Sequence, residues 1–420
     1  MAHRRKSIRL TRDMIVNGRQ HKRGDWVMVD EKMANRWIAK KIADDGIDWS
    51  EKAGKHHVLM VSSHCCTRVQ KQAAALKALG WRVDSVSKSM PGVMDGFDVL
   101  KVTQDEREFP DLIAASGASI IHVHNEPDRL MYYADAGANG RPIVYDCHDL
   151  AWYRTFSVTP DERFAFERAD GIIHVSKEHR DLAYKLHPWS VPEAITMSVP
   201  MKAWMPAKAD EEAGRHGIVY EGGSNPGASN ANRFRDHTHV DKAFDAAGMD
   251  MTFFVPTRAI GAYRRTRMFV PYKVLLDQLA TFKWGFIGSD IKTDKGDVCL
   301  PNKTFDYLLA GLPLACCNVP AVEAFMGGKA GVYANDMHTL IAKMERADWY
   351  KLHEEAKAAR RFMDDEIKNT LMVYDALLGT FECPFCGKST FKSNLGLQGH
   401  MKSSHPDEYR SMREQVAASA

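Results

Sequence analysis

Short apolar runs recur along the chain, separated by polar stretches with helical spacing. Val58–Ser62 is the first clear run, and Val69–Leu79 behind it reads as a helix closed by Gly80. Trp81–Val86, Ile120–His124, Ile143–Tyr145 and Gly171–Val175 continue the series, with a further helix predicted over Asp161–Arg168. After Pro192–Pro206, whose three prolines predict an interdomain linker, the pattern starts again. Ile218–Tyr220, Met251–Val255, Trp284–Ile287 and Leu314–Cys317 are predicted strands, and Val274–Leu279 a short helix. Leu352–Leu378 reads as charged helix. Such alternation predicts two α/β units with parallel sheets.

The two ends differ from this middle. Met14–Asp30 reads as two short strands around turns at Asn17-Gly18 and Gly24-Asp25, and Glu31–Ala43 carries helical spacing. A small β-plus-helix module is therefore expected over residues 1–50. Its first stretch is basic, with Arg4, Arg5, Lys6, Arg9, Arg12, Arg19, Lys22 and Arg23 against Asp13. That charge suits either a solvated tail or contact with a polyanion.

Composition adds bounds. The chain has 420 residues, 45% hydrophobic and 26% charged, with a formal charge of +3. These values fit a globular protein of several domains. No apolar run is long enough to span a bilayer, and the start, MAHRRKSIRLTR, lacks the apolar core of a signal peptide. The eight cysteines show no framework spacing, so a reducing cytoplasm is expected.

The segment Leu300–Cys317, LPNKTFDYLLAGLPLACC, carries the chemistry. It reads as a helix opening at Pro301 or Asn302 and closing at Gly311, followed by a buried strand. Phe305, Leu308 and Leu309 share one face, and Lys303, Asp306 and Tyr307 the opposite one. A cation beside free backbone N–H groups suits a diphosphate, and a carboxylate one turn later suits ribose hydroxyls. Together they predict a nucleotide-sugar site.

This segment resembles the donor-binding helix of GT-B glycosyltransferases, in which a PxKxF(D/E)Y…G.P run recurs. His56–Ser62, Ile120–Pro127, Pro142–Leu150, Arg168–Ser176 and Gly217–Asn225 resemble the family's strand ends in order, so the resemblance covers Lys55–Gly379. It implies an α/β fold with two Rossmann-like domains. The first is the acceptor domain over residues 55–200, the second the nucleotide-sugar domain over 215–347. A crossover helix over 348–380 is expected to return to the first. The resemblance also places His148 near the transferred sugar, with His122, His124 and Asn125 at a neighbouring strand end. Glu126 and Asp149 are alternative carboxylates for a base or for sugar hydroxyls, whereas Asp170 suits a helix-to-strand turn. Gly222 and Gly223 would admit the diphosphate. Arg233 and Arg235 stand where the family often carries an Arg and a Lys, and Glu323 is a further donor-side candidate. No Asp-x-Asp metal motif occurs, so metal-independent departure of the diphosphate is expected, and the resemblance favours retention of anomeric configuration.

Phe381–His405 is the most specific motif. Two residues separate Cys383 from Cys386, thirteen separate Cys386 from His400, and four separate His400 from His405. Two thiolates and two imidazoles make a closed tetrahedral Zn²⁺ set, with Phe381, Phe391 and Leu397 as a miniature core. The stretch resembles a classical Cys2His2 zinc finger with one inserted residue, a ββα unit expected to unfold without metal, followed by a tail over 406–420. Its base-reading positions would be Ser393, Gly396 and Gly399, and two glycines cannot make bidentate base contacts. Lys388, Lys392 and Lys402 can touch phosphates. A structural or protein-binding finger is the alternative.

Three functions fit these readings. One is a hexosyltransferase moving sugar from a nucleotide-sugar to a hydroxymethylated base in DNA, which resembles phage DNA-modifying glucosyltransferases in logic. The second is a transferase acting on a cell-surface glycan, lipid or protein. The third is a non-catalytic DNA-binding protein with a relic transferase body.

Overall fold

A computed structural model describes residues 56–90, 96–125, 127–227, 235–292, 300–378 and 403–407, together with the backbone of five N-terminal strands. β1 (Arg5–Leu10) pairs antiparallel with β4 (Trp26–Asp30) and β5 (Ala43–Asp44), and β2 (Met14–Val16) pairs antiparallel with β3 (Arg19–His21). The basic stretch read as a tail thus contains a strand. Its Ile8 and Leu10 alternate with Ser7 and Arg9, a period-two pattern that the charge count obscured. Of the helix expected over Glu31–Ala43, residues 31–42 lie outside the described residues, and Ala43 opens β5.

The first α/β unit holds β6 (His57–Ser62), β7 (Arg82–Ser87), β8 (Val99–Val102), β9 (Ile120–His124), β10 (Ile143–Cys147), β11 (Gly171–His174) and β12 (Glu193–Ile195). Their order is β12-β11-β10-β9-β6-β7-β8, with every pair parallel. The second unit holds β13 (His216–Glu221), β14 (Met251–Val255), β15 (Thr266–Met268), β16 (Phe282–Gly288), β17 (Leu314–Cys317) and β18 (Gly331–Ala334), ordered β15-β14-β13-β16-β17-β18 and again all parallel. Both sheets are doubly wound. Strand order reverses between β6 and β9 and between β13 and β16, where a parallel sheet opens a crevice at its carboxyl edge.

Nine central strands stand where the apolar pattern put them, within two residues at each end. The strands that pattern did not predict are β8, β12, β15 and β18, the four sheet edges. β12 and β15 are only partly buried or exposed along their length, whereas β9, β10 and β14 are buried throughout. An edge strand needs fewer apolar side chains and so leaves a weaker trace. β12 also corrects the reading of Pro192–Pro206 as pure linker: Pro192 precedes the strand, where its missing N–H costs no ladder bond.

Thirteen helices connect the strands among the described residues. In the first unit they are α1 (Thr67–Ala78), α2 (Phe109–Ala115), α3 (Leu130–Gly137), α4 (Trp152–Thr155), α5 (Pro160–Arg168) and α6 (Lys177–Leu186). In the second they are α7 (Thr238–Ala246), α8 (Tyr272–Leu279), α9 (Asn302–Leu309), α10 (Pro320–Met326) and α11 (Met337–Arg346), followed by α12 (Trp349–Ala358) and α13 (Met363–Leu378). None is long and apolar enough to cross a membrane. One apolar cluster is continuous across both units, joining Val58, Val69 and Leu76 to Val219, Leu276, Phe305 and Leu309.

α13 returns to the first sheet. Asn369 Nδ2 donates to the Ile195 carbonyl at 2.9 Å, and Thr370 Oγ1 lies 2.9 Å from Thr196 Oγ1. Val373 and Leu377 lie over Gly171, where any Cβ would sit 2.6 Å from Val373. In the second unit Gly285 on β16 plays a similar part: a Cβ there would lie 2.3 Å from the Tyr307 ring. Tyr307 OH accepts the Glu221 N–H at 2.9 Å, so the ring ties α9 to the end of β13. Gly285→Ala is therefore expected to destabilise the fold by about 1–3 kcal/mol through overpacking, measured by urea unfolding, whereas Gly248→Ala, with open space at its Cβ position, loses only what its positive φ demands.

Candidate functional site

On the first sheet, alternation along β9 puts His122 and His124 on one face, and register sets Asp146 of β10 opposite His124. Asp146 becomes the hub of a buried network. Arg68 Nε of α1 donates to its two oxygens at 2.8 and 3.1 Å, and Gln72 Nε2 donates at 2.8 Å. His122 Nε2 lies 3.3 Å away and His124 Nδ1 3.7 Å away. His148 Nδ1 lies 3.5 Å from Asp146 Oδ1 at the rim. His122 Nδ1 meets Tyr374 OH of α13 at 2.5 Å, so the returning helix reaches this cluster.

The sequence candidates separate here by depth. His124 is 1% exposed and stacks on His122, so it lies beneath the surface. His148 keeps 15% side-chain exposure. Asn125 links the two strand ends, donating to the Asp149 carbonyl at 2.7 Å and accepting the His148 N–H at 3.2 Å. Asp149 is half-buried beside them. Asp170 accepts the Ile143 N–H at 2.8 Å and pairs with Arg168, a turn role. Glu126 and Arg233 lie outside the described residues.

His122, His124 and Asp146 bring three ligand atoms within reach of one ion. Two observations speak against a metal in this arrangement. The two imidazole planes are parallel to within 4°, with centroids 4.5 Å apart, and in-plane lone pairs of stacked rings do not converge. Arg68 and Gln72 already satisfy the carboxylate. Burial alone would raise the Asp146 pKa, but Arg68 and the histidines outweigh it and hold the group well below the usual carboxylate range.

On the second sheet, the donor-side candidates gather at the end of β13. Gly222 has φ 135°, and a Cβ there would sit 2.8 Å from Lys303 Nζ. Lys303 opens α9 and places its ammonium 3.7 Å from the centroid of the Tyr220 ring. Arg235 is exposed, with Nη1 3.6 Å from where a Gly223 Cβ would lie. Its carbonyl accepts from Asn225 N at 3.0 Å and lies 3.0 Å from His237 Nδ1, which closes the loop between them. Glu323 is exposed on α10. Burial and Arg235 push the Lys303 pKa down while Glu221 opposes them, leaving it at about 8.

Asp306 departs from its expected place. It is 2% exposed, and all of Thr304–Leu309 is buried, so α9 has no open face in its middle. Lys71 Nζ of α1 contacts Asp306 Oδ1 at 3.0 Å and donates to the Ser198 carbonyl at 3.0 Å. Tyr272 OH also donates to Asp306. The carboxylate expected to meet ribose instead forms an ion pair between the two units. Asn302 Nδ2 donates to Thr67 Oγ1 at 3.4 Å alongside it, so the starts of α1 and α9 meet.

Arg68, Lys71, Gln72, Asp146 and Glu221 escaped the sequence reading. A signal was present: Arg68, Lys71 and Gln72 lie at i, i+3 and i+4, the spacing that singled out Lys303, Asp306 and Tyr307. Asp146 interrupts an apolar strand, and Glu221 closes one just before Gly222-Gly223.

No family model matches the chain, and no curated protein matches it. Solved structures do. A sucrose-phosphate synthase from Thermosynechococcus elongatus superposes with a TM-score of 0.56 at 13% identity, over 77% of this chain and 96% of that one. HepE of Anabaena in complex with UDP-glucose gives 0.55 at 11%, over 75% and 99%. An alpha-glucosyltransferase in complex with UDP-glucose and DNA containing an abasic site gives 0.53 at 10%, over 77% and 99%. The fold is that of the GT-B glycosyltransferases. At such identities the likeness is one of architecture, and the GT-B sheets meet here across Lys71 and Asp306.

Buried histidines predict the acid behaviour of this GT-B fold. Burial, with the neighbouring His122, lowers His124 well below 6.5; burial, with His179, does the same to His174. Burial lowers His179 to about 3, and burial with Lys303 lowers His237 to about 4. Each binds its proton more weakly folded than unfolded. Stability is therefore full above about pH 6.5 and falls as pH drops through the unfolded value, by on the order of 2 kcal/mol at pH 5 for each of His179 and His237. Urea unfolding from pH 7 to pH 5 should show a falling midpoint with net proton uptake; a flat profile would contradict this assignment.

Proposed function

We propose that the protein is a glycosyltransferase that moves a sugar from a nucleotide-sugar donor to an acceptor hydroxyl, and that the acceptor is a hydroxymethylated base in DNA. The observation that carries the donor half is the convergence of Gly222, Gly223, Lys303 and Arg235 at the carboxyl edge of the second sheet. Parallel sheets bind ligands at that edge, and glycine turns beside helix starts and cations take diphosphates. Solved neighbours with this fold hold UDP-glucose, which supports the same donor class here.

The residues divide the work. Lys303, the start of α9 and the exposed Arg235 stabilise the charge that grows on the diphosphate as the glycosidic bond breaks. His148 and Asp149, at the rim of the facing sheet, receive the sugar and the acceptor hydroxyl. Asp306 serves the site indirectly, by holding α9 against α1.

The DNA half rests on three supports. One neighbour of the same fold was solved with DNA. The N-terminal module begins with a run of arginines and lysines. The Cys383, Cys386, His400 and His405 motif would hold structural Zn²⁺ in a finger whose lysines suit phosphates; of these ligands only His405 falls within the described residues.

Three measurements test this reading. Incubation with hydroxymethylated DNA and a panel of nucleotide sugars, followed by nucleoside mass analysis, should show added hexose; none with any donor rejects the DNA acceptor. Lys303→Met should weaken UDP binding by roughly ten- to a hundredfold, the scale of one charge-assisted contact, and leave uridine binding unchanged. Asp306→Asn should act mainly on stability, costing about 3–5 kcal/mol because Lys71 is left buried without its partner.

A further inference from the structure

Tyr220 lies near the end of β13, two residues before Gly222, and its side chain meets both parts of the candidate diphosphate site. The Lys303 ammonium sits 3.7 Å from the centroid of its ring. Its hydroxyl donates to the Gly223 carbonyl at 3.0 Å. A Cβ on Gly222 would lie 2.8 Å from Lys303 Nζ and 3.6 Å from Tyr220 OH, so ammonium and hydroxyl close round one glycine. Resting on the donor-site reading above, we infer that Tyr220 is a positioning residue for the donor's diphosphate. Its ring seats the Lys303 ammonium and its hydroxyl fixes the glycine turn before the ligand arrives.

The kind of holder matters. A lysine carries its charge on a flexible stem, and something must fix it if the charge is to wait in one place. A carboxylate within ion-pair reach would do so, but it would also cancel the charge and repel an incoming diphosphate. An aromatic face attracts the ammonium through its quadrupole while carrying no net charge. The cation is then held still with its whole charge left for an anion. Among the described residues no acidic side chain forms an ion pair with Lys303, and Asp306 on the same helix is paired with Lys71. Burial pushes the Tyr220 phenol up, so the ring itself stays neutral near pH 7.

The ring is fixed in its turn. It is 4% exposed and packs against His237, with centroids 4.2 Å apart, and against Phe253 at 5.7 Å. His237 reaches the Gly288 carbonyl at the end of β16 with Nε2, 3.2 Å away, and the Arg235 carbonyl with Nδ1, 3.0 Å away. Tyr220 therefore links the cation and the turn to a packed support. The hydroxyl acts where the backbone is freest: Gly222 has φ 135°, and glycine loses more freedom on ordering than any other residue. Groups ordered in advance do not charge that ordering to the ligand, so binding of the diphosphate gains.

The test measures UDP and uridine binding to the full chain by calorimetry, near pH 7, because the ratio of the two affinities reads the diphosphate alone. Tyr220→Phe keeps the ring and loses the hydroxyl, and should weaken UDP by roughly two- to tenfold with uridine unchanged. Tyr220→Leu loses the ring as well, and should bind UDP a further three- to thirtyfold more weakly, roughly the worth of one cation–π contact. With Lys303→Met added to each, the phenylalanine and leucine variants should bind UDP alike, since the ring acts through the ammonium. A gap between them that survives Lys303→Met overturns the inference, as does the absence of a gap when Lys303 is present. Tyr220→Phe removes one hydroxyl and keeps the packing, so it decides the matter even where Tyr220→Leu does not fold: an unchanged ratio of UDP to uridine affinity overturns the inference. Failure of the wild type to bind UDP overturns the donor-site reading itself, and this inference with it.

Discussion

The contact between Lys71 and Asp306 is the constraint around which the two halves of this protein are arranged. Both side chains are removed from water, and each has help: Ser198 offers its carbonyl to the ammonium, and Tyr272 its hydroxyl to the carboxylate. A buried ion pair is a weak source of net stability, because desolvation offsets most of the attraction. Its strength lies in specificity. With one charge on α1 and the other on α9, any arrangement that separates the sheets leaves both charges buried and unpartnered or forces them back into water. The apolar cluster that runs across the same junction supplies adhesion without direction, and the ion pair supplies the register.

That register decides which groups remain for chemistry. Asp306 is consumed, which leaves Lys303 as the cation beside Gly222 and Tyr220. On the opposite rim Asp146 is consumed in the same way by Arg68 and Gln72, so His148 stands as the surface member of a deeply buried network. In both halves a charged layer one step below the surface holds the candidate site residues in place. Low dielectric makes such layers stiff: each member is costly to move because its partner would be stranded.

Most of the fold was legible in the sequence. Central strands such as Ile120–His124 and Met251–Val255 are buried on both faces, and burial on both faces demands a continuous apolar run. The edges β8, β12, β15 and β18 were hidden because an edge strand is held by hydrogen bonds from one neighbour and needs little apolar character. The candidate donor side was legible in part. Lys303, Gly222, Gly223 and Arg235 do come together, since glycine turns and helix starts are local features that the chain writes in consecutive residues. Asp306, expected to face ribose, faces Lys71, and His124, a candidate at a strand end, is buried against His122, because periodicity gives a residue's face but not what lies against it.

By itself, then, the sequence determined the alternation of strand and helix, the doubly wound sheets that follow from it, and the glycine turn and helix start that come together at the end of β13. These depend on steric rules that act over a few residues. Tertiary structure alone decided which charges are spent and which are left. Lys71 and Asp306 are 235 positions apart, and Arg68 and Asp146 are 78 apart. No local rule connects them; they pair because packing two sheets removes water from both, and a charge deprived of water must find its opposite.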